Sequence, residues 1–134
     1  MKNELIKQAE KLQQELDILK NKIKNQEEDD LFNITTYEQV CRKLNEPYKI
    51  SSYEKIKQIE KLFNGSWKKD WYDKNQKKYY PYFNFNASHG SIGLVRSDYC
   101  CYYSFAGSVV YKDEKTSNHV GKHFWEIYKD FITS

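Results

Sequence analysis

No nucleophile elbow, P-loop, dinucleotide fingerprint or HExxH helix occurs in this 134-residue chain. Their absence removes the enzyme classes that declare themselves by motif, and no catalytic activity is expected. Cysteine is scarce. Cys41, Cys100 and Cys101 are an odd three, so no paired disulfide framework is expected. Cys100 and Cys101 are adjacent, and neighbouring strand residues face opposite ways. One core thiol and one solvent-side thiol are expected there, with no redox pair. The first ten residues are polar and lack an apolar signal core. With the free thiols, this points to a reducing cytoplasm. No apolar run approaches bilayer-spanning length, so no membrane partner is expected.

Charge of one sign is also limited. The net charge is +3, but it is unevenly spread. Residues 1–30 hold six lysines and eight acids, net −2, and the remainder holds sixteen basic and eleven acidic residues, net +5. A mildly basic body suits RNA, single-stranded DNA or an acidic protein face.

What the chain does have is aromatic side chains, 16% of all residues. They concentrate in GSWKKDWYDKNQKKYYPYFNF, residues 65–85. Trp67, Trp71, Tyr79, Tyr80 and Tyr82 alternate there with Lys68, Lys69, Lys77 and Lys78. Two explanations fit. The rings pack on a small sheet whose edges lysines keep wet, or they stack bases beside a phosphate-attracting patch. Asp70 and Asp73 are expected to pair with the lysines.

The first thirty residues follow a different rule. Leu5, Leu12 and Leu19 recur at one core position of a heptad, and Ala9, Leu16 and Ile23 at the other. Glu15 and Lys20 fall where a parallel dimer would pair them. The seam serves a homodimer, a partner helix or the chain's own body. NQEEDD, residues 25–30, reads as a solvated linker or frayed end, which divides a helical arm, 1–30, from a compact domain, 31–134.

The body reads as α+β. Thr35 to Glu38 and Ser51 to Glu54 fit capping boxes, opening short helices near 36–45 and 52–63. Asn64-Gly65 supplies a left-handed stop. Strands are expected near 77–85, 92–96 and 99–111, in an antiparallel sheet of three or four strands. Pro81 marks an edge or bulge. A final helix capped by Ser117 carries Val120, Phe124, Ile127, Tyr128 and Phe131 on one face and covers the sheet. His119 and His123 are four apart but lack the zinc-protease order, so no metal or cofactor is expected. His89 sits in a turn.

NGSWKKDW (64–71), YYPYF (79–83) and GKHFWEIYKDF (121–131) together resemble a group of small uncharacterised phage and prophage proteins. Those show N-x-x-W-x-x-D-W, Y-P-x-F and GKQF-x-x-IYKDF in the same order. The resemblance spans residues 32–132 and leaves out the arm. It implies a mobile-element origin and transfers no catalytic residue. By association with that setting, the leading expectation is a non-enzymatic inhibitor of a host nucleoprotein machine. An anti-CRISPR-type protein acting on an RNA-guided nuclease is the form considered first. The alternatives are a single-stranded nucleic-acid-binding accessory protein of phage replication and a dimeric interaction module.

Overall fold

The computed structural model describes residues 1–86, 91–101 and 109–133. The fold is α+β, in two compact units, Met1–Asn33 and Ile34–Ser134.

The first unit is one helix, α1 (Lys2–Phe32). It runs unbroken through residues 25–30, where the sequence suggested a linker or frayed end. That stretch contains neither Gly nor Pro, and Gln and Glu are good helix formers. Gln26 also donates to the Asp30 carboxylate at 3.1 Å on the same helix. An acidic last turn opposes the dipole by only about 0.3–1 kcal/mol per exposed charge, too little to stop the helix.

The second unit begins with α2 (Tyr37–Leu44) and α3 (Ser52–Asn64). The first capping box sits one residue later than expected. Thr36 is the cap, and its partner is Gln39, whose side chain takes the Thr35 and Thr36 amides. Ser51 caps α3 through the Glu54 amide. Buried Val40 and Cys41 of α2 and Ile56, Ile59 and Phe63 of α3 supply one side of the core.

The described sheet has two antiparallel strands, β1 (Lys78–Asn86) and β2 (Ser91–Cys100). The register shifts between Tyr82 and Phe83, which leaves Val95 as an extra residue in β2. A single bridge, Tyr79 to Tyr111, stands where a third strand was expected. The rest of that expected strand, residues 102–108, lies outside the described residues, as does the His89 turn.

The C-terminal helix is two helices, α4 (Glu114–His123) and α5 (Trp125–Thr133), separated by Phe124. Its cap is Asp113, which accepts from the Thr116 amide at 2.7 Å. Ser117 is buried instead, and its hydroxyl meets that of Ser97 on β2 at 2.7 Å. The break lets Phe124 meet Phe63 edge-on at 5.9 Å, while Tyr128 reaches Phe83 of β1 at 5.2 Å. The expected apolar stripe is divided: α4 packs on both strands and Tyr128 reaches the sheet, while Phe124 and Phe131 pack on Phe63 and Tyr53 of α3.

At the centre lies the segment Val109–Tyr111, fully or nearly fully buried. The Tyr111 and Tyr128 hydroxyls meet there at 2.8 Å. Burial pushes the Tyr111 phenol well up, with the neighbouring Tyr128 adding to it, and burial likewise pushes Tyr128 up. Both rings stay protonated in the fold at pH values where an unfolded chain ionises them. Their contribution is complete below about pH 10 and is lost as pH rises above it. Two such groups give a slope of about 2.7 kcal/mol per pH unit above that point. Urea midpoints measured from pH 9 to 11 should fall steeply, and the Tyr111→Phe/Tyr128→Phe double variant should flatten the fall.

Candidate binding surface

The aromatic-lysine stretch does not build the core. Of residues 65–85, only Lys78 and Pro81 are buried among those whose side chains are described. The structure divides the nine expected surface residues into separate groups.

The first group is placed by a turn. Gly65 ends α3 with φ 56° and ψ −121°, and the Trp67 amide donates to the Asn64 carbonyl at 2.9 Å. This is a type II′ geometry, not the left-handed stop expected, and only glycine adopts it without strain. The turn returns the chain along the flank of α3. There Trp67, Lys68 and Lys69 line an open cleft of about 210 Å³ with Glu60, Lys61 and Asn64. Trp67 and Lys69 are half-buried, and Lys68 is exposed.

Glu60 organises this cleft from below. Its carboxylate takes Lys57 at 2.9 Å, Lys69 at 3.0 Å and the buried Val110 amide at 2.9 Å. One helix turn on, Asn64 donates to the Val110 carbonyl at 2.8 Å and accepts from the Lys112 amide at 3.0 Å. Two polar side chains of α3 thus stand in for a neighbouring strand against residues 110–112. Neither was singled out from the sequence for this role; Asn64 was expected only as part of the helix stop. The signal was present for Glu60, which is four residues after Ile56 and three before Phe63, on the buried stripe.

The loop after Lys69 is pinned by its own side chains. Gln76 accepts from the Asp70 amide at 2.6 Å and donates to the Lys68 carbonyl at 2.9 Å. Asp70 and Asp73 accept from the Tyr72 and Asn75 amides. They hold turns rather than the ion pairs expected of them.

Trp71 and Lys78 form a second, internal group. Lys78 is fully buried, and its ammonium donates to the carbonyls of Cys101 at 2.7 Å, Gln76 at 3.0 Å and Asp73 at 3.4 Å. It also lies 5.1 Å from the centre of the Trp71 ring. This cation is held inside the body, away from any phosphate. Cys100 and Cys101 are both half-buried, so the expected division into core and solvent thiols is not made. Burial pushes the Cys100 thiol up. Cys41 is buried, as its place on the apolar stripe of α2 implied.

The remaining residues lie on the sheet. The Lys77 ammonium stands 4.7 Å from the Tyr99 ring centre, and Tyr79 lies 5.7 Å from the same ring. Tyr99 was not among the expected surface residues, although it is 49% exposed. Tyr80 and Tyr82 lie one and three residues after Tyr79 and so belong to the other face of β1. Tyr82 is 50% exposed. Among the described residues the rings therefore offer several short patches and no single continuous stacking platform.

His119 and His123 are ring neighbours at 4.6 Å. The His119 Nε2 donates to the Ile34 carbonyl at 2.7 Å, which fixes its proton on that nitrogen. Burial chiefly disfavours its charged form. The ring packs on Phe63 at 5.4 Å, so this histidine joins the body's first residue to its core.

Against known proteins, the chain matches no family model, no curated protein and no solved structure. Among the described residues no helix is long and apolar enough to cross a membrane.

Proposed function

We propose that this chain is a non-enzymatic binding protein that docks on a nucleoprotein and blocks it, as an inhibitor of an RNA-guided defence nuclease would. The observation that carries the binding reading is the Trp67 cleft. Trp67 meets Lys61, Lys68 and Lys69 there around an open cleft of about 210 Å³, with Lys61 paired to Glu46 and Lys69 to Glu60. Tryptophan and tyrosine anchors dominate interface energetics, and lysines beside them favour an RNA component over an apolar partner. The Lys77–Tyr99 pair extends the same chemistry onto the sheet. The inhibitory role draws its support from the resemblance to phage proteins.

Titration with short single-stranded RNA at low salt is expected to quench tryptophan fluorescence at micromolar concentrations. The effect should fade steeply as salt rises. Trp67→Phe should remove most of the quenching, since Trp71 covers an internal lysine. No quenching at any salt would overturn the RNA contact. Equal quenching by free single-stranded DNA would favour the replication-accessory role. With a purified RNA-guided nuclease, inhibition should reach its endpoint at a stoichiometric ratio.

A further inference from the structure

We infer that α1 is the interface of a parallel, in-register, two-stranded coiled coil between two copies of this chain. The inference rests on α1 alone and is independent of the cleft. The helix is continuous for 31 residues, so the heptad seam is geometrically intact from Leu5 to Ile23. Its large core residues are exposed, from 44% at Leu16 to 65% at Leu12. Leucine occupies all three of one core position, and the other holds Ala9, Leu16 and Ile23, of which only Ile23 is the β-branched residue that favours two strands.

The flanking charges select the occupant and its direction. In a parallel dimer each g position faces the following e position of the other copy. Glu15 then meets Lys20, and Lys22 meets Glu27. The second rung exists because α1 continues through residues 25–30 as helix. An antiparallel pairing that preserves the layers would set Leu12 against Leu16 and Ala9 against Leu19. It would also bring Glu15 against the second copy's Glu15, with no attractive rung in return. Opposite pairing at both rungs identifies a second copy of this chain as the partner that fits.

The seam also sets its own limit. Beyond Ile23 the next core positions are Gln26 and Asp30, hydrogen-bonded to each other on the same helix at 3.1 Å. A second Asp30 opposite the first would repel it. The coil is therefore about three heptads long, with small Ala9 as its weakest layer, and its dimer is concentration-dependent.

Sedimentation equilibrium of the full chain tests this. The wild type is expected to be dimeric at high micromolar concentration and to dissociate on dilution. Lys20→Glu should weaken the dimer about tenfold by setting like charges at both symmetry-related rungs. The Glu15→Lys/Lys20→Glu exchange should restore it. Leu12→Asp/Leu16→Asp should give a monomer whose near-ultraviolet dichroism, and so whose body, is unchanged. A wild-type monomer at every concentration would overturn the dimer. A dimer that Lys20→Glu leaves intact, or that the exchange fails to restore, would overturn the parallel register.

Discussion

Glu60→Ala is expected to lower the stability of the body by about 2–4 kcal/mol, although the residue belongs to no conventional core. The magnitude follows from what the carboxylate holds. Lys57 is 40% exposed and can turn into water, so its loss contributes little. Lys69 is more enclosed, at 27%. Val110 has no exposure at all, and its amide is left without an acceptor. An orphaned buried donor costs about 1–3 kcal/mol by itself. Glu60→Gln retains an acceptor oxygen for that amide and should cost only about 1 kcal/mol. Urea unfolding followed by near-ultraviolet dichroism measures both. Equal losses in the two variants would assign the effect to the lysines instead.

The second large effect is at Asn64. Asn64→Ala strands the Val110 carbonyl and the Lys112 amide together, again at about 2–4 kcal/mol. The pair is more informative than either variant. Glu60 and Asn64 grip the same peptide segment, so once one has released it the other has less to hold. The double variant should be less damaging than the sum of the singles by at least about 1 kcal/mol. Additive losses would mean that residues 110–112 are kept in place by Tyr79 and the core alone.

Elements with a local cause were legible in the sequence. The heptad helix, the α2 and α3 boundaries, the Pro81 strand and the C-terminal apolar stripe each follow from spacing and caps within a few residues. The misread features depended on distant partners. Ser117 resembles a cap, but Ser97 across the sheet engages it and Asp113 takes the capping role. Lys78 resembles its surface neighbours, yet the carbonyl of Cys101 enters from 23 positions away. The aromatic stretch is the chain's most conspicuous composition, but it is not the centre of the fold. The centre is Val109–Tyr111, which nothing in its own composition distinguishes. Of the surface, Trp67, Lys68 and Lys69 were identified together, while the grip of Glu60 and Asn64 on residues 110–112 and the exposure of Tyr99 become visible only once the chain is folded back.

The long reach of those clamps bears on how the protein is made. α1 leaves the ribosome before the body, and its described hydrogen bonds are local, so that helix can form while the body is still unmade. The body cannot close at that stage. Glu60 waits for Val110, fifty residues later, and Ile34 waits for His119, eighty-five residues later. Closure therefore waits until His119 has been made. Two nascent chains on one message could join through their arms before either body has its shape.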